Sequence, residues 1–445
     1  MIAPVRLARL NARDREILRL AVPAFFALVA EPLYVLTDTA IVGHLGTVQL
    51  AGLSAASAVL LAGYSIFVFL AYGTTAAVAR LIGAGDHERA AEQAVQSIWL
   101  ATGAGVVVAL VGAVTARPLV AVFTHDHAVR EQALIYLRVS LIGVPAMLIT
   151  LAGVGYLRGL QDTSRPLIVA VGTALFNLLL EVILIYGLDQ RIGASAAATV
   201  VAQWLGAAAY LWWITRAVRA RGVGLRPDVA AIAALGRVGA HLVVRTIALR
   251  GSFLIAAIAA ARIGTVELAA HEVAFQMMYL LALVLDAVAI AGQALVGRLL
   301  GAGDADAARS AARRMIGWGV GIGVVAAVVL LAGRTQLPRL FTDDDSVRAL
   351  TAFLLVHTAL MQPLNGAVFA LDGILIGAGD QRYLAAAMLV AAMVFVPIVV
   401  IARLTDAGIG WLWFAIEVLM LARLVPLLAR FRSTHWAVVG PAPES

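Results

Sequence analysis

"RLIGAGD", residues 80–86, returns as "RLLGAGD" at residues 298–304, and three further pairs keep the same offset of 218 positions. "LGTVQLA" at 45–51 returns as "IGTVELA" at 263–269, and "VFTHDHAVR" at 122–130 as "LFTDDDSVR" at 340–348. "RGLQD" at 158–162 returns more weakly as "IGAGD" at 376–380. A constant offset over four segments means that the chain is one unit written twice. The glycines do not fit a dinucleotide fingerprint, because Glu88 and Asp306 stand where G-x-G-x-x-G needs glycine. Each "GAGD" is expected to be a tight turn out of a helix.

The unit itself is apolar. Of 445 residues, 62% are hydrophobic and 13% charged, against about 45–50% and about 25% in soluble domains. The excess recurs as twelve segments, at 17–43, 50–80, 93–115, 131–157, 166–187, 193–215, 236–261, 268–298, 312–332, 347–375, 383–402 and 408–429. Each is long enough to cross a hydrocarbon core of ~30 Å as a helix. The fold class is therefore all-α integral membrane, with twelve transmembrane helices in two pseudo-symmetric six-helix lobes. The expected division is an N-lobe at 1–215, a linker at 216–235, a C-lobe at 236–430 and a tail at 431–445. Six spans per half leave both halves in the same orientation, and transporters place their sites at such a repeat interface.

The composition excludes several chemistries. All 33 basic residues are arginine, so no P-loop lysine exists to reach a nucleotide phosphate. There is no cysteine, hence no disulfide, thiolate nucleophile or cysteine metal site. "HEVAFQ" at 271–276 begins like a zincin motif but has Phe275 where the second histidine belongs. The net charge of +7 sits in the basic N-terminal stretch (Arg6, Arg9, Arg13, Arg15, Arg19) and in short loops. Arg216, Arg219, Arg221 and Arg226 between segments six and seven, and Arg309, Arg313 and Arg314 after segment eight, put those loops and both termini in the cytoplasm. The loop with Arg334, Arg339 and Arg348 dissents. The charge is a topology signal rather than a nucleic-acid footprint.

The repeat also tests each polar residue inside a span. Asp38 maps to Ala256, Asn177 to Phe395, Glu181 to Val399, Asp286 to Val68 and Asp372 to Val154. The shared scaffold does not need these groups, yet a charge near the bilayer centre costs at least ~2.5–3.5 kcal/mol. Asn177 and Glu181 are spaced i, i+4 and share a helix face. With Asp38 and Thr199 they form an oxygen-bearing set suited to a proton or a hard cation such as Na⁺. The plain alternative is an ion pair between these acids and Arg138. In the second half Arg245, Arg250, Asp286 and Asp372 form either an ion-pair network or a polar cavity wall, with Gln276, Gln293, Gln362 and Asn365 as added hydrogen-bonding groups. Met277 and Met278 read as packing. Pro23 and Pro32 permit bending near Asp38.

These residues resemble the MATE multidrug and toxin extrusion antiporters. The match lies in "EPLYVLTDTAIVGHLG" at 31–46, "N-x-x-x-E" at 177–181 and "GASAAATVVAQ" at 193–203. "LDAVAIAGQALVG" at 285–297 and "QPLNGAVFALDGILIGAGDQ" at 362–381 look like the DinF-type branch. The resemblance implies a monomeric carrier in the cell (inner or plasma) membrane, not an enzyme and without a cofactor. It implies export of cationic or amphipathic organic compounds against H⁺ or Na⁺, with Asp38, Asn177, Glu181 and Thr199 as the coupling set. The family more usually has aspartate where this chain has Glu181, which favours H⁺ over Na⁺. Arg245 and Arg250 stand where some members carry an acid. The implied substrate cavity lies between the lobes, near Arg245, Arg250, Gln276, Asp286, Gln362, Asn365 and Asp372. The competing reading is a flippase for a lipid-linked precursor, which needs a strongly basic cavity. An intramembrane enzyme would need paired acids near the membrane face, and the turn residues Asp162 and Asp380 have no second acid at useful spacing.

Overall fold

A hydrocarbon interior offers a peptide group no water, so each span has to satisfy its own backbone, and an α-helix does so. The computed structural model describes residues 11–188 and 190–441 and, within them, twelve such helices and no strand. They are α1 (Ala12–Gly43), α2 (Thr47–Gly83), α3 (His87–Phe123), α4 (His127–Gly159), α5 (Ser164–Gly187) and α6 (Ile192–Ala220) in the first half. The second half holds α7 (Val229–Ile263), α8 (Thr265–Gly301), α9 (Ala305–Gly333), α10 (Asp345–Gly377), α11 (Gln381–Leu404) and α12 (Gly408–Arg432). Each of the twelve expected segments falls inside one helix. Arg6 and Arg9 of the basic N-terminal stretch lie outside the described residues.

The helices outrun the apolar segments because polar caps, not hydropathy, set their ends. Asp86 caps α3 by accepting from Arg89 N, and Asp304 caps α9 by accepting from Ala307 N. Asp126 and Asp344 cap α4 and α10. The "GAGD" turn joins two such devices. Gly85 (φ +78°) and Gly303 (φ +82°) take the left-handed conformation that ends a helix, which glycine adopts without steric cost, and the next residue caps the following helix. In the weaker copy Gln161 takes the same conformation (φ +61°), and Asp162 accepts from Ser164 N and Arg165 N. Asp228 caps α7 in this way too. The non-helical stretch between α6 and α7 is therefore 221–228, shorter than the expected 216–235.

Three helices depart from regularity. α2 is interrupted at Phe67–Val68, α4 holds a 3₁₀ turn at Leu141–Gly143, and α5 ends in a π turn at Ile183–Gly187. α1 runs unbroken through Pro23 and Pro32.

Buried side chains form clusters that follow the halves. Val42, Leu53, Tyr136, Leu137, Leu148 and Ile192 belong to one in the first half. Leu354, Phe395, Trp413 and Leu419 belong to one in the second. α1 is shared. Its lower part, with Ile17, Leu20, Ala21 and Ala24, joins the cluster of Leu295, Met315, Leu371 and Leu375, while Val42 near its other end is buried in the first half.

Helices approach closely where residues are small, because lipid supplies no hydrophobic drive between them. A Cβ on Gly366 of α10 would lie 2.0 Å from the carbonyl oxygen of Gly319 in α9. Gly317, two residues before Gly319 on α9, has nothing within 4 Å of its Cβ position. Gly366→Val is expected to cost about 1–3 kcal/mol or more and to lower the thermal unfolding midpoint in detergent. Gly317→Val should leave that midpoint unchanged.

Candidate functional site

Asp38 lies in the upper part of α1, where the helix faces α5 and α6. It is 6% exposed, Asn177 is 2%, Glu181 0% and Thr199 8%. The fold brings all four together but divides them into two hydrogen-bonded groups. The residue that joins the acids is Ser195 of α6, itself fully buried. Its Oγ lies 2.8 Å from Asp38 Oδ1 and 2.9 Å from Glu181 Oε1. Tyr136 OH donates to Asp38 Oδ2 at 3.5 Å. Glu181 Oε2 is covered and has no partner.

The second group is built around Thr199, one turn beyond Ser195 on the same face of α6. Asn177 Nδ2 donates to Thr199 Oγ1 at 3.2 Å, and Tyr34 OH lies 2.8 Å from the same oxygen. Arg138 is exposed and forms no ion pair with either acid among the described residues, so the ion-pair alternative fails here.

The hydroxyl between the acids limits what the site can hold. A serine O–H is one donor with two acceptor lone pairs. It can donate to one carboxylate only. Its second contact becomes a hydrogen bond when the other acid carries a proton and donates to a serine lone pair. The pair with its serine is therefore complete with one proton. A hard cation needs several oxygens to converge, and Thr199 Oγ1 is engaged by both Asn177 and Tyr34.

The second half holds a different arrangement. Asp372 Oδ2 accepts from Arg245 Nη2 and, at 2.7 Å, from Arg423 Nη2 of α12. Asp286 Oδ2 accepts from Tyr72 OH of α2 at 3.5 Å. Gln362 and Asn365 are buried on α10. Gln362 donates to the Thr358 carbonyl of its own helix, and Asn365 Oδ1 has no partner. Gln293 is buried on α8 with its Oε1 unpartnered. Arg250 and Gln276 are exposed, and neither makes a hydrogen bond or ion pair with Asp372 among the described residues. Met278 is buried in the apolar cluster of the second half and Met277 packs against it, as expected of packing residues.

Sequence reasoning missed Ser195, Tyr34 and Arg423. The repeat would have flagged two of them. Ser195 maps to Trp413, and Arg423 maps back to Leu205, so both are polar in one half only.

Comparison with known proteins agrees with this architecture. The profile of the MatE family matches residues 23–183 and, a second time, 242–401. The chain is similar to Protein DETOXIFICATION 44, chloroplastic, of Arabidopsis thaliana, at 31% identity over 96% of this chain and 84% of that protein. It is also similar to DNA damage-inducible protein F of Escherichia coli (strain K12), at 29% identity over 97% of this chain and 95% of that protein. The crystal structure of a MATE protein in the bent conformation has a TM-score of 0.88 at 22% identity, covering 96% of each chain. A multidrug resistance MATE transporter of the MOP superfamily in its outward-facing conformation has a TM-score of 0.82 at 22% identity, covering 95% of this chain and 98% of that one. The structures speak for the fold. With the profile matching most of both halves, the chain belongs to the MatE family, the multidrug and toxin extrusion transporters, which are carriers and not enzymes.

Proposed function

We propose that this carrier exports cationic or amphipathic organic compounds from the cytoplasm in exchange for H⁺, with Asp38 as the coupling carboxylate and Glu181 as its partner. The observation that carries this reading is the Ser195 hydroxyl between two buried acids, whose hydrogen bonds are complete with one proton. Asn177, Thr199 and Tyr34 form the adjoining polar wall. The protein lies in the cell membrane as a monomer with both termini in the cytoplasm, as the arginines of the α6–α7 stretch favour. Lipid surrounds it, and no nucleic acid is a partner.

The cycle follows from charge. Facing outward, the Asp38–Glu181 pair takes a proton, and one unit of negative charge leaves the cavity. A cationic compound held there loses its attraction and departs outward. Facing inward, the proton leaves and the restored charge favours rebinding. The flippase reading is weaker, because Arg245 and Arg423 are both engaged with Asp372 instead of free for a pyrophosphate.

Ethidium efflux from proteoliposomes tests the coupling ion. An imposed pH gradient should drive efflux without Na⁺, and Asp38→Asn should abolish it while the protein stays monodisperse. Efflux driven only by a Na⁺ gradient, or full activity of Asp38→Asn, would overturn the reading. Ser195→Ala removes one bond to a charged group, worth about 1.5–3 kcal/mol. That bond favours the ionised acid, so its loss favours protonation, and the proton concentration for half-maximal exchange should fall roughly ten- to a hundredfold.

A further inference from the structure

The repeat's signature begins with an arginine in each half, and neither arginine is used by the ion site. Both reach across to the other half. Arg298 of α8 pairs with Glu16 of α1 at 2.5 Å. Arg80 of α2 is 2% exposed and pairs with no acid among the described residues. Its guanidinium donates instead to three carbonyl oxygens, those of Ala378 after α10 (2.8 Å), Val438 (2.6 Å) and Gly440 (3.2 Å). Two of the three lie in the segment after α12.

That segment is built into the molecule rather than trailing from it. Trp436 is 1% exposed and shares a cluster with Ala76 of α2, Leu300 of α8 and Ala378. Its ring stacks on Phe431 with centroids 5.4 Å apart, and its Nε1 donates to the Phe431 carbonyl at 2.9 Å. Gly440 N donates to the Leu300 carbonyl at 3.0 Å. The segment therefore touches the ends of α2 and α8 directly, and Arg80 links it to the end of α10.

Those ends are where the halves are pressed together. A Cβ on Gly83 would lie 1.9 Å from the Arg298 carbonyl oxygen, and one on Gly301 2.0 Å from that of Arg80. The two signatures cross backbone to backbone, each glycine opposite the other's arginine. Any conformation open at this end has to separate them. Separation would strip a buried guanidinium of its carbonyls, and a buried charge without partners is costly.

We propose that the repeated R-L-x-G-A-G-D signature is the cytoplasmic gate of this carrier, and that residues 433–441 are a strap that holds it shut by supplying Arg80 with the acceptors that Glu16 supplies to Arg298. Opening to the cytoplasm requires the strap to leave Arg80 and Trp436 to leave its pocket. The sidedness rests on the transport reading above; the strap itself rests on the contacts.

The absence of native cysteine makes the test direct. Ala76→Cys places one thiol in the closed gate, where Ala76 is 3% exposed. Its maleimide labelling rate is read in inside-out membrane vesicles for the full tail, for Trp436→Ala and for a chain ending at Arg432. Each altered tail should speed labelling roughly tenfold or more, since one bond to a charged group is worth at least a decade in an equilibrium constant. Equal rates in all three would overturn the proposal. A second arm does not depend on the tail being removed. In the double variant Ala378→Cys, Val438→Cys, a short cleavable bis-maleimide should stop ethidium efflux, and cleavage should restore it. Unchanged efflux after complete crosslinking would overturn the strap. If the double variant moves no ethidium before crosslinking, the efflux reading fails, and the labelling arm alone decides the strap.

Discussion

A polar group inside a bilayer has no water to fall back on, so it must find its partner within the protein. This chain meets that demand in two ways inside its spans. In the first half two acids share one hydroxyl, Ser195 between Asp38 and Glu181. In the second, two arginines share one acid, Asp372 between Arg245 and Arg423. The first arrangement lacks one proton when both acids are ionised, and Glu181 Oε2 has no partner at all. In the second, both arginines meet one carboxylate oxygen and so brace α7, α10 and α12.

α1 ties the Asp38 cluster to the rest of the molecule. Its upper part carries Asp38 against α6. Its lower part is anchored in the second half, where Asp14 accepts from Arg314 at 2.5 and 2.7 Å and from Trp318 at 2.9 Å. Glu16, two residues further along, pairs with Arg298. A helix buried by one half at its base and by the other near its top feels any motion between them. The proposed ion site and the proposed gate therefore share one rigid element, which is the physical condition for coupling between distant sites.

Much of the molecule was legible before any coordinates. Twelve apolar segments became twelve helices because hydropathy over a bilayer's width has one structural solution. The repeat's turns kept their structure even where the letters drifted, as Gln161 shows in place of Gly379. Comparing the halves separated scaffold from addition and led to Asp38, Asn177 and Glu181. The same comparison applied to serine would have found Ser195. A hydroxyl in a helix normally bonds its own backbone, as Ser252 does with the carbonyl of Ala248, so residue type alone does not mark Ser195. Arg423 lies near the end of the last segment, where arginines usually mark topology.

The sequence by itself determined the number of helices, the duplication and the identity of the costly charges, because each follows from local composition or from self-comparison. Which groups meet was decided by tertiary structure alone. Ser195 is 157 positions from Asp38, and Arg80 is 358 from Val438, and no pattern along the chain links either pair. Helix crossings at small residues set those meetings, and a hydrogen bond depends on distances of a few tenths of an ångström that only packing fixes.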